Sequence, residues 1–125
     1  MELMELTVRF LKADDIKMLS NPLFKSHLFL VKEGLVRVLK FPFLIGRIEP
    51  SHLLVSNASI SRKHVEIYTE GLFFKKYFVK DVGSKNGTII LRGGQIIELT
   101  AQKGVQLENE DILSMGLGVK FKVLI

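Results

Sequence analysis

A chain of 125 residues, 47% apolar and 25% charged, fits one globular domain with a real core. It contains no cysteine, which excludes disulfides, thiolate zinc sites and cysteine nucleophiles. No apolar run reaches about 18 residues, which argues against a helical membrane span, and the acidic start over residues 1–5 lacks the features of a signal peptide. A cytoplasmic location is the expectation. The formal net charge of +5 favours anionic partners, or simply a soluble surface. Lysine and arginine are not blocked into a run, so no nucleic-acid partner is expected, and without a spanning run no membrane partner is expected either.

Residues 1–11 alternate, with Leu6, Val8 and Phe10 on one face, and read as a strand. Residues 13–20 allow one or two helical turns before Asn21-Pro22 ends them. From His27 the pattern is all-β. Strands are predicted over 28–32 and 35–41 around a Glu33-Gly34 turn. A short apolar run over 43–45 ends at Gly46, and another covers 53–55 before the polar loop 56–59. Residues 64–68 alternate, Glu70-Gly71 turns the chain, and 72–81 returns. Gly83 to Gly87 is a dense turn, followed by strands over 88–91, 95–99, 104–107, 112–115 and 119–125. Many short strands with Gly-rich turns predict an all-β, two-sheet sandwich of about eleven strands over 27–125. Residues 1–26 are predicted to form an N-terminal extension of strand plus short helix.

Three clusters carry candidate chemistry. Gly46-Arg47 places a guanidinium fork after a strand and a glycine; a solvated surface arginine is the plainer alternative. Ser61-Arg62-Lys63-His64 puts a hydroxyl, two cations and an imidazole together, in a loop whose amides suit an anion-binding nest. Ser61 as a turn residue bonding its own backbone is the alternative. His64 opens a strand whose Val65 and Ile67 face the core, so its ring is read as a support for the loop and not as a catalyst. Asn86-Gly87 is first a type I′ hairpin signal, and Asn86 also offers donors and an acceptor to an extended peptide. No metal site and no cofactor is expected.

Those residues resemble the forkhead-associated (FHA) domain family, whose pattern is Gly-Arg, Ser-x-x-His and Asn-Gly in that order, separated by β segments. Here they are Gly46-Arg47, Ser61 to His64 and Asn86-Gly87, with similar flanks in Phe43-Leu44-Ile45, Val79-Lys80-Asp81 and Asp111 to Ser114. The resemblance covers residues 27–125. It implies an eleven-strand sandwich that binds phosphothreonine peptides at one end and is not an enzyme. On this chain it implies that Arg47 and Ser61 contact phosphate, Arg62 and Lys85 add contacts, and Asn86 bonds the peptide backbone. Gly46, His64 and Gly87 support the loops, and the loop Gly116-Leu117-Gly118 helps select the residue three places after the phosphothreonine. The implied partner is a threonine-phosphorylated protein in signalling, with a homodimer through the extension left open. A phosphate-independent scaffold is the alternative, and a Ser61/His64 hydrolase a remoter one that lacks a Gly-x-Ser-x-Gly elbow.

Overall fold

The computed structural model describes residues 8–11, by their backbone, and 28–125. The expected helical turns over 13–20 lie outside the described residues. Twelve strands run in chain order: β1 (Val8–Leu11), β2 (Leu28–Val31), β3 (Leu35–Val38), β4 (Phe43–Gly46), β5 (Leu53–Leu54), β6 (Val65–Glu70), β7 (Lys76–Asp81), β8 (Thr88–Arg92), β9 (Gln95–Glu98), β10 (Val105–Gln106), β11 (Ile112–Met115) and β12 (Val119–Leu124). They form a seven-stranded sheet in the order β1-β3-β2-β12-β11-β8-β9 and a five-stranded sheet in the order β10-β7-β6-β4-β5. The all-β two-sheet sandwich read from the sequence is therefore present, and β1 extends the larger sheet by pairing antiparallel with β3.

The core follows from period-two alternation. Along β12, Val119, Phe121 and Val123 are buried while Lys120 and Lys122 are exposed. Val65 and Ile67 of β6 and Tyr77 and Val79 of β7 meet Leu28, Leu30, Val36, Ile90, Leu113 and Met115 across the sandwich. No helix among the described residues is long and apolar enough to cross a membrane.

Two expectations need correction. The strand predicted over 72–81 begins only at Lys76. Leu72, Phe73 and Phe74 stand in the β6–β7 loop, about nine-tenths exposed; their aromatic and aliphatic character mimics a strand, but among the described residues no strand pairs with them. The Asn86-Gly87 pair does not close a hairpin either. β7 and β8 lie in different sheets, so the loop 82–87 crosses from one sheet to the other, and only Gly87 of the pair takes a positive φ, +82°.

Candidate functional site

β4 delivers Gly46 and Arg47 to one end of the sandwich. A Cβ on Gly46 would lie 2.1 Å from the Arg62 carbonyl oxygen and 2.4 Å from Ser51 Oγ. Only glycine lets the strand end approach the 59–63 loop so closely. The approach is then secured by the Arg47 amide, which donates to the carbonyls of Ser61 (3.0 Å) and Arg62 (3.1 Å). Buried Ser51 adds a bond from its hydroxyl to the Arg62 carbonyl (3.2 Å). The Arg47 side chain is oriented by its Nε, which donates to the Ile60 carbonyl (2.9 Å). That bond leaves the terminal nitrogens of the guanidinium for an external acceptor.

Ser61 is set from two sides. Its amide donates to His64 Nδ1 (2.9 Å), and its Oγ accepts the Lys85 amide (2.9 Å), so the hydroxyl proton stays available. His64 is fully buried. Because Nδ1 accepts from an amide, the other ring nitrogen, Nε2, must carry the proton, and it donates to the Gly87 carbonyl (2.9 Å). Both nitrogens are thus engaged by backbone. His64 ties the serine loop to the Asn86 loop and cannot act as base for the Ser61 hydroxyl, which removes the footing of a Ser61/His64 hydrolase.

The third loop is joined through Ser59. Its carbonyl accepts from Asn86 Nδ2 (2.9 Å), its hydroxyl donates to Asn57 Oδ1 (2.7 Å), and the Ser59 Oγ accepts the Leu117 amide (3.0 Å). The Gly116 amide donates to the Gly87 carbonyl (3.0 Å). Beneath the Asn86 loop sits buried Asp81, which accepts from the amides of Gly83 and Ser84 and the hydroxyls of Ser84 and Thr88. Burial alone would raise the pKa of this carboxyl; the bonds from Ser84, Thr88 and Gly83 outweigh it and hold the value below the ordinary carboxylate range.

Arg47, Ser61 and Arg62 come together around one hollow of about 510 Å³, which Ile48, Glu49, Lys63 and Gly83 also line. Three cations there face one carboxylate. Lys63 is a lining residue that the sequence reading noted but did not choose. Lys85 reaches Ser61 by its amide, while its exposed side chain is not part of the lining. Asn86, Gly87 and Gly116 line a second, smaller hollow of about 180 Å³, with Leu117 exposed beside it. Sequence reasoning gave no role to Ser51, Ser59, Asp81, Ser84 or Thr88, although Asp81 stood among the flanks of the resemblance. An Asp81-x-x-Ser84 spacing ahead of a glycine-rich turn was the one local signal, since such a carboxylate commonly caps the amides that follow it.

Known proteins fit this arrangement. The FHA domain family profile matches residues 43–116, and the chain belongs to the forkhead-associated domain family. FHA domains are interaction modules. Protein phosphatase 2C 70 of Arabidopsis thaliana is 33% identical over 90 residues, 69% of this chain; the chain spans only 15% of that relative's length. Among solved structures, the FHA domain of an Arabidopsis thaliana hypothetical protein superposes with a TM-score of 0.67 at 23% identity, over 81% of this chain and 86% of that one. The MEK1 FHA domain in complex with a HOP1 phosphothreonine peptide gives 0.63 at 23% identity, over 78% and 95%. The FhaA FHA domain complexed with the intracellular domain of Rv3910 gives 0.58 at 23%, over 78% and 97%. These likenesses establish the shared sandwich.

Proposed function

We propose that residues 27–125 form a phosphothreonine-peptide binding module, read by the loops at the Arg47 end. The observation that carries this reading is the convergence of Arg47 and Ser61 on one hollow, each held by its own backbone bonds with its strongest donors unspent. A phosphomonoester brings about 1.5 to 2 negative charges and three acceptor oxygens. The guanidinium fork takes two oxygens, and the Ser61 hydroxyl takes a third. Arg62 and Lys63 supply further positive charge, and Lys85 stands at the rim. Asn86 keeps its Oδ1 and one N–H for the peptide main chain while its other N–H holds the Ser59 carbonyl. The hollow beside Gly116, Leu117 and Gly118 receives a side chain downstream of the phosphothreonine. The MEK1 domain in complex with a phosphothreonine peptide supports the reading by family membership.

The test is Arg47→Ala titrated calorimetrically with a phosphothreonine peptide that the parent binds. Arg47 is exposed, so the variant should lose binding and melt within a few degrees of the parent. Unchanged affinity at an unchanged melting temperature removes Arg47 from the site.

A further inference from the structure

The end of the sandwich opposite the phosphate-site loops carries a feature that peptide binding does not use. β6 starts beside His64 and runs six residues away from it to Glu70, a span of roughly 20 Å. There the loop 71–75 projects Leu72, Phe73 and Phe74, which are 92%, 90% and 87% exposed. The loop is a formed turn. Gly71 has φ +105°, and a Cβ there would lie 2.4 Å from the Phe74 carbonyl oxygen. Glu70 and Lys76 face each other at its base. Leu39 and Phe41, from the β3–β4 connection, line a groove together with Leu72 and Phe73, so the apolar surface continues beyond the tip. Exposed Lys75 lines the groove itself, together with Arg37.

Three adjacent large apolar side chains in water are costly to display, and a contiguous patch of this kind marks an interaction surface. Its shape is a convex tip with cations behind it. A bilayer interface accepts such a tip without a preformed pocket: apolar side chains enter at the boundary between headgroups and acyl chains, and ammonium groups stay at the level of the anionic phosphates. The chain's net charge of +5 acts in the same direction. We propose that the loop 71–75 is an interfacial anchor that inserts Leu72, Phe73 and Phe74 into anionic membrane surfaces, with Lys75 on the headgroups. The sequence argument against a membrane partner concerned spanning segments, and an interfacial loop does not need one. Anchoring at this end leaves the Arg47 hollow facing away from the bilayer.

The chain has no tryptophan, so Phe73→Trp makes a single-site reporter in the otherwise intact protein. With phosphatidylcholine vesicles containing phosphatidylserine, its emission should shift to the blue and be quenched by brominated acyl chains. Pure phosphatidylcholine should give a much weaker response. The parent should co-sediment with the anionic vesicles, and Phe73→Ser/Phe74→Ser should partition at least about tenfold less, because two apolar rings no longer leave water. Its melting temperature should match the parent, since both rings are already exposed. Equal sedimentation of parent and double variant would overturn the proposal in favour of general charge attraction. So would a parent that does not sediment, or a reporter that ignores the vesicles. Emission already blue in buffer also overturns it: concentration-dependent emission would assign the tip to a second copy of the chain, and concentration-independent emission to a cover from the chain itself.

Discussion

His64 carries the most structural consequence per atom. Its imidazole is the one group that bonds both the Ser61 amide and the Gly87 carbonyl, so His64→Ala leaves the Ser61 amide without its partner and takes from the Gly87 carbonyl one of its two donors, the other being the Gly116 amide. A loss of about 1–3 kcal/mol of stability is expected, together with weaker phosphopeptide binding, as read by denaturant titration and calorimetry. A variant that melts like the parent would contradict the supporting role. Asp81 gives a prediction in pH. Its folded pKa lies below the unfolded value of about 3.9, so its contribution is fully present above that value and is lost as pH falls through the folded one. Urea midpoints measured from neutral pH into this acid range should therefore fall more steeply for the parent than for Asp81→Asn. Parallel curves would mean that the carboxylate contributes nothing through its ionisation. The position of the His64 ring was legible from sequence, where it was read as a support for the loop ahead of Val65 and Ile67, and its bonds to Ser61 and Gly87 place it there. The Asp81 cluster was much less so: its four donors come from a turn and from the next strand, and only the fold brings Thr88 within reach.

At the scale of elements, the far end of β8 is locked to the opposite sheet by a clamp. Arg92 Nε and Nη2 donate to the two carboxylate oxygens of buried Asp111 (both 2.8 Å), Nη1 pairs with Glu108 (2.6 Å), and Nη2 also donates to the Gln106 carbonyl (2.9 Å) in β10. Hydrogen bonds to Asp111 and the nearby carboxylates raise the Arg92 pKa further, against a smaller opposing effect of burial. Arg92→Ala should cost about 3–5 kcal/mol, because it takes from buried Asp111 its counter-charge and two of its donors, leaving the Glu108 amide. The remaining folded protein should bind phosphopeptide as the parent does. A loss below about 1 kcal/mol, the size of an exposed ion pair, would show the clamp to be solvated. Strand positions were largely legible, since alternation and glycine turns mark them directly. The β6–β7 connection was not. Leu72 to Phe74 have the composition of a strand, and only the register Glu70↔Lys76 reveals that the pairing ends before them. Asn86-Gly87 misled for a related reason: the dipeptide signals a turn, but whether the two strands share a sheet is decided by packing many residues away.

Across the whole molecule, two sheets hold one functional candidate at each end. The Arg47 hollow is built from three loops that Ser59, His64 and Gly116 tie together; the Leu72 to Phe74 tip lies beyond the other end of β6. The sandwich and the order of the Gly-Arg, Ser-x-x-His and Asn-Gly clusters could be read from the chain, because each cluster borders a strand. What holds the clusters together could not, since bonds such as Leu117 to Ser59 join residues far apart in sequence. Phosphothreonine recognition is tested most directly by titrating one peptide in three forms, phosphothreonine, phosphoserine and Thr→Glu, at low and high salt. A shaped hollow predicts that the phosphothreonine peptide binds and that the phosphoserine form is weaker, by up to about 1 kcal/mol from burial of the methyl group alone. The flat, singly charged glutamate should hardly bind, and the order should survive added salt. Equal affinity for the two phosphorylated peptides, lost together at high salt, would contradict this and reduce the site to a basic surface.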